Sequence, residues 1–268
     1  MITANGTIST SDLSHLKSAG FTVPVKGADK PPRLSVLTQG KTKNGKSHWA
    51  YFTTPEPVTA IVLDPGTMPI VQKAIDAGRN ILPIFINHSR KETKEEATKL
   101  WQQYRSALRA VMASKSVRTL VVDTSQEAWE LARMKEFGKI DKVMGFQYTG
   151  LNAEYGGLID ELYYGRPDLN TIYIDKSKKN YVDDKWDGKS YERKGFSDLE
   201  FQVDLSITHY FKGGNFGFQI DSSTATRFGP EFSGLKFDDN ECTFMDLAMT
   251  VYANHPQGSD PEYWGLKL

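Results

Sequence analysis

The 268-residue sequence predicts an α/β domain with a largely parallel central sheet and an antiparallel extension toward its C-terminal end. Three observations predict it. Short β-branched runs alternate with amphipathic stretches between residues 34 and 174, and a glycine-containing loop joins the first run to the first helical stretch. From residue 197 onward, period-two alternation replaces the helical period.

Each element has its own local pattern. Residues 34–38 form an apolar, β-branched run that reads as a buried strand, and 48–52 read as a short helix stopped by Pro55 and Pro57. Residues 58–63 give a second strand ending at Asp64, 69–77 show helical spacing of Val71, Ala74 and Ile75, and 80–86 give a third strand. Across 91–113, Ala97, Leu100, Trp101, Tyr104, Leu108 and Val111 recur at helical intervals among charges, which is an amphipathic helix. Strand 117–122 leads to Asp123, helices are expected over 126–134 and 151–164, and 170–174 is a β-branched strand. Phe201, Val203, Leu205 and Ile207 alternate, as do Phe216, Phe218 and Ile220 after Gly213-Gly214, which predicts a hairpin. The expected organisation is a peripheral segment over 1–32, a core domain over 33–253 and a turn-rich tail with little to bury over 254–268.

Composition narrows the setting. Lys plus Arg equals Asp plus Glu at 33 each, so nucleic-acid binding requires a local patch and not the overall charge. The single cysteine, Cys242, cannot form an internal disulfide, and no charged-then-apolar leader or membrane-length apolar run is present, so a cytoplasmic, reducing setting without membrane contact is expected. His48, His88 and His209 stand outside any metal-ligand spacing.

The chemistry is concentrated in one motif. Gly40, Lys41, Thr42, Lys43, Asn44, Gly45, Lys46 and Ser47 spell Gly-x4-Gly-Lys-Ser between a predicted strand and a predicted helix that opens with His48. In such a loop the backbone N–H groups wrap the phosphates of a nucleotide, the lysine reaches the outer phosphates and the hydroxyl binds Mg²⁺. ATP and Mg²⁺ are therefore the expected cofactors, with Lys46 as charge clamp and Ser47 as metal ligand. Asp123 closes an apolar strand expected to neighbour the strand that leads into the loop, the position from which a carboxylate assists the metal. Hydrolysis also needs a group that orients water, and Asp64, Glu127 and Gln126 are all candidates. Asp175 and Lys176 end another strand and could sense the outermost phosphate. Cations Lys178, Lys179 and Lys185 interleave with Tyr181, Trp186 and Tyr191 as on a single-strand stacking surface, although four acids share that segment, so a solvated hairpin is the competing account. Arg227 follows the late strands, where it could complete a neighbour's site in an oligomer.

In order and spacing, the loop 40–47, Asp64-Pro65-Gly66, the strand at 120–124, the strand at 171–174 and the closing segment 220–229 resemble bacteriophage-type RecA-core ATPases related to Sak single-strand annealing proteins. The resemblance covers residues 33–230, and its specific part is the phosphate loop. It implies a RecA-like core, ATP with Mg²⁺ bound through Lys46, Ser47 and Asp123, assembly into homo-oligomers, action on single-stranded DNA in recombination or annealing, and a host-cytoplasm location if the chain is phage-encoded. Enzymes of that type usually carry a glutamate just after the strand that here ends at Asp64, whereas this chain continues Pro65-Gly66-Thr67. A ring-forming motor of helicase or packaging type, or a nucleotide-gated binding protein without efficient hydrolysis, are the alternatives.

Overall fold

Period-two burial in the strands is what organises the architecture. In the first strand, β1 (Ser35–Gly40), Val36 packs on one face of the sheet and the next residue, Leu37, on the other, and both are fully buried. The same division holds in β2 (Val58–Val62), where Ala60 and Val62 face one core and Ile61 the other, and in β4 (Thr119–Asp123) and β5 (Asn170–Ile174). A strand buried on both faces must lie in the middle of a sandwich, with helices covering each side.

The structure is a computed structural model that describes residues 18, 32–89, 92–139, 143–182, 185–193, 195–223, 230–238 and 242–264. Met1–Pro31 and Pro32–Leu268 are separate units, and the fold is that of the second. The expected peripheral segment 1–32 thus lies almost wholly outside the described residues.

One face of the sheet carries α1 (Lys46–Thr53), α2 (Met68–Asp76) and, late in the chain, α7 (Phe244–Val251), which bury Trp49, Ala50, Val71, Ala74, Phe244 and Leu247. The other carries α3 (Lys94–Ala113), α4 (Ser125–Phe137), α5 (Tyr148–Gly165) and the short α6 (Leu199–Gln202). The longest, α3, shows why these stretches become helices. Thr93 and Glu96 form a reciprocal capping box at its start, and Ala97, Trp101, Tyr104, Leu108 and Val111 are buried along one stripe. At about 1.5–3 kcal/mol for each large side chain removed from water, that stripe holds the helix to the sheet.

With β3 (Ile81–Phe85), β8 (Leu205–Lys212), β9 (Asn215–Ser223) and β10 (Lys236–Asp238), the main sheet runs β10-β9-β8-β1-β5-β4-β2-β3. Strands β3, β2, β4, β5, β1 and β8 are mutually parallel, and β9 and β10 add antiparallel pairings at the C-terminal end, in agreement with the sequence pattern. A separate two-stranded ribbon, β6 (Ser177–Val182) with β7 (Lys185–Arg193), comes after β5 in the chain.

Two local expectations change, and two elements are added. Phe201 and Val203 do not start a strand: 199–202 is the helical turn α6, Phe201 is 81% exposed, and pairing begins only at Leu205. The reason is Asp204, a fully buried carboxylate that accepts from the Ser35 N–H at 2.8 Å and the Tyr163 hydroxyl at 2.7 Å, anchoring the chain just before β8. The tail buries more than its composition suggests. Trp264 is 2% exposed among Phe244, Tyr252 and Tyr263, and its indole N–H donates to the Gly258 carbonyl at 2.8 Å. Finally, β10 and α7 add a strand and a helix for which the sequence pattern gives no expectation.

Candidate functional site

The parallel strands all point their carboxyl ends to one edge, and the candidate residues gather there. Gly40 ends β1 with φ +140°, and a Cβ at that position would lie 2.6 Å from the His209 carbonyl oxygen of neighbouring β8. Only glycine lets the loop leave the strand this close to β8. Asn44 pins the far side of the loop by donating from Nδ2 to the same carbonyl at 2.9 Å. Gly45, at φ +88°, then turns the chain into α1, whose first turn carries neither an acidic side chain nor a side-chain cap. Its amide groups are thereby left to an anion.

Lys46 folds back over the loop. Its Nζ donates to the carbonyls of Gly40 at 2.8 Å and Lys41 at 2.9 Å. Burial, with the nearby Lys176 adding to it and Asp123 and Asp175 opposing, brings its pKa down to about 8. One residue on, the Ser47 hydroxyl donates to Asp123 Oδ2 at 3.0 Å, and the Tyr51 hydroxyl reaches the same oxygen at 3.3 Å. Asp123 is 1% exposed; burial, reinforced by the charge of Asp64, raises its pKa to about 6 against the hydrogen bonds from Ser47, Thr67 and Tyr51.

The strand of Asp123, expected beside the strand that leads into loop 40–47, is not its neighbour in the sheet. β5 lies between them, and helix α1 crosses the gap to bring Ser47 to Asp123. The end of β5 contributes too. Asp175 is fully buried and accepts from the Ser125 hydroxyl at 2.6 Å and the Gln126 N–H at 2.9 Å, fixing the start of α4. Lys176 reaches across the cleft to Asp64 Oδ2 at 2.7 Å. Partial burial opposes the Asp64 charge, but the hydrogen bonds from Lys176 and the Gly66 N–H outweigh it, so the carboxyl stays below its usual range.

A cleft of about 480 Å³ opens here, lined by residues 42–48 together with Asp64, Thr67, Ile70, Asp123, Thr124, Lys176 and Phe216. Lys46, Ser47, His48, Asp64 and Asp123 lie together in this lining. Glu127 is not part of the lining; it sits in the first turn of α4, with Oε1 3.4 Å from Gln126 Nε2. Arg227 lies outside the described residues. Lys178, Lys179, Lys185 and Trp186 lie on the β6–β7 ribbon, where Lys178 pairs with Glu192, Tyr181 with Trp186 and Val182 with Lys185. Their side chains lie outside what is described.

Sequence reasoning missed Tyr51, Thr67, Ile70 and Phe216. Tyr51 and Ile70 look like ordinary helix core residues, and Phe216 enters only because the β8–β9 hairpin, far along the chain, folds over the loop, so no local signal marked it. A divalent cation fits the donor set: Mg²⁺ takes one or two carboxylates with phosphate oxygens and water, and here the Ser47 hydroxyl and Asp123 carboxylate meet at the cleft while the buried Thr124 Oγ1 has no protein partner among the described residues.

No family model matches the chain, and no curated protein does. Among solved structures it is similar to the RadB recombinase (15% identity, 77% of this chain and 86% of that chain, TM-score 0.46). It is also similar to an ATPase from the type III secretion system of pathogenic bacteria (9% identity, 66% of this chain, TM-score 0.45), of which it spans 51%. Neither bears on a phage origin or on single-strand annealing. No described helix is long and apolar enough to cross a membrane.

Proposed function

We propose that the chain is a RecA-like ATPase that binds ATP with Mg²⁺ on the loop 40–47 and couples that binding to work on single-stranded DNA, in recombination or annealing. The observation that carries the nucleotide half is the meeting of Ser47 with Asp123 at 3.0 Å beside an ammonium group folded onto the loop carbonyls. Phosphate oxygens offer Lys46 a better acceptor than two neutral carbonyls, because a charge-assisted bond is about twice as strong. The loop amides and the N-terminus of α1 hold the phosphate chain in place. Ser47 and Asp123 would hold Mg²⁺, which when bound neutralises phosphate charge. Asp64, whose carboxyl stays ionised, is placed to accept a proton from water, and Lys176 holds it until a phosphate competes for the lysine.

The DNA half rests on the ribbon. β6 starts directly after Lys176, so a nucleotide that moves Lys176 pulls on the segment bearing Lys178, Lys179, Lys185 and Trp186. The Asp64–Lys176 pair also favours a second reading, a nucleotide-gated binding protein that turns over slowly because its candidate base is tied up.

Lys46→Ala should weaken ATP binding at least about 100-fold in calorimetry, whereas Asp64→Ala should spare binding and stop hydrolysis. Unchanged ATP affinity in Lys46→Ala would overturn the nucleotide assignment. Hydrolysis that single-stranded DNA stimulates supports the recombination reading, and tight binding without turnover supports the gate.

A further inference from the structure

A second cleft, of about 510 Å³, opens beside the first and shares Gly45, His48 and Phe216 with it. Its remaining wall is Trp49, Thr53, His209, Asn215, Cys242 and Thr243 with glycines 214 and 217. Two features set it apart from an accidental groove. The ring nitrogens Trp49 Nε1 and His209 Nε2 are buried with no hydrogen-bond partner among the described residues, on side chains 3% and 4% exposed. Such orphaned polar atoms are costly unless something satisfies them. Phe216, by contrast, is 47% exposed, and its ring stands over Gly45, where a Cβ would come within 3.0 Å of it. The same ring is tilted against Phe211 with centroids 4.6 Å apart, and a half-exposed aromatic held in the wall shared by two clefts can serve as a stacking platform.

We propose that this second cleft receives the nucleobase of the nucleotide whose phosphates lie on the loop 40–47, stacked on Phe216 and hydrogen-bonded by the ring nitrogens of Trp49 and His209. The proposal rests on the reading of the loop as a phosphate site. Adjacency decides the occupant: Gly45 and His48 stand in the walls of both clefts and at the start of the helix that adjoins the proposed phosphate site, so the second cleft is the space next to that site. The chemistry agrees. A base is a flat aromatic ring with edge donors and acceptors, and the indole N–H can only donate, so it selects a ring nitrogen or carbonyl acceptor. His209 is held neutral by its burial and by the charge of Lys46, which leaves its ring able to act as one donor and one acceptor.

The test compares ATP with inorganic tripolyphosphate, which has the phosphates and no base, by calorimetry on the full chain. Wild-type protein should bind ATP more tightly than tripolyphosphate. Phe216→Ala should lower the ratio of ATP affinity to tripolyphosphate affinity about 5- to 150-fold, the range seen when one aromatic stacking partner is removed. Phe216→Tyr should restore ATP affinity. Cys242→Trp, which fills the second cleft from its far wall, should bring ATP down to the affinity of tripolyphosphate. Equal wild-type affinity for the two ligands, or loss of ATP and tripolyphosphate together in Phe216→Ala, overturns the base site. Normal ATP binding in Cys242→Trp overturns it as well. Failure of the wild type to bind either ligand is a different result, because it removes the phosphate site on which the proposal rests.

Discussion

His209 should make the fold acid-sensitive. Its imidazole is 4% exposed between Trp49 and Phe218, each with its ring centroid 5.5 Å away, and burial together with the Lys46 charge lowers its pKa from 6.5 to about 3. In the unfolded chain the ring takes a proton below 6.5, whereas in the fold it does not until near 3. Between those values the unfolded state binds more protons, so stability falls as pH falls, and none of this loss is present above the unfolded pKa. At 1.36 kcal/mol per pH unit, lowering pH from 7 to 5 removes about 2 kcal/mol through this residue. For a chain of this size that is about 4–8 °C in Tm. His209→Phe keeps an aromatic ring between the same neighbours and cannot titrate. Urea unfolding at pH 7 and pH 5 should show the variant losing about 2 kcal/mol less than wild type over that interval. Equal losses in the two proteins would refute the assignment of a buried, neutral imidazole.

Other perturbations probe the rest of the structure. Gly40→Ala should destabilise by about 3 kcal/mol or more in urea unfolding, since its Cβ would sit 2.6 Å from the His209 carbonyl oxygen at φ +140°; wild-type stability would contradict that geometry. Arg166, 1% exposed, donates to the carbonyls of Val111 at 2.7 Å, Ser114 and Val117 at 3.0 Å, closing the end of α3 onto the approach to β4. Arg166→Met strands those acceptors, and a loss of about 3 kcal/mol or more is expected, read as a lower denaturation midpoint. Thr93→Ala removes half of the α3 capping box and should cost about 1 kcal/mol, with hydrogen exchange faster in the first turn of that helix only. If the β6–β7 ribbon carries DNA, changing Lys178 and Lys179 to alanine together should lower the salt slope of single-strand binding by about 1.4, and an unchanged slope would remove the ribbon from the interface.

Much of the fold was legible because the informative patterns are local. The early parallel strands and the amphipathic helix α3 announce themselves by period, since a strand buried on both faces must be continuously apolar and a helix on one face must repeat every three or four residues. The late elements were harder. The anchoring role of Asp204 turns an alternating run into a helical turn before β8, and the three-residue β10 is too short to show a period. The tail looked superficial because turn residues outnumber the one tryptophan that docks.

At the cleft the division is sharper. The sequence by itself determined the glycine loop 40–47, because glycines 40 and 45, Lys46 and Ser47 act through backbone geometry within eight residues. It also singled out Asp64 and Asp123 as strand-end carboxylates. Only the tertiary structure decided what they do for one another: that Ser47 meets Asp123 across an intervening strand, that Lys176 holds Asp64, and that Glu127 stays outside the lining. The hairpin that closes Phe216 over Gly45 belongs to the same class. Strand order in the sheet sets those pairings, and strand order arises from long-range packing that no short stretch of sequence encodes.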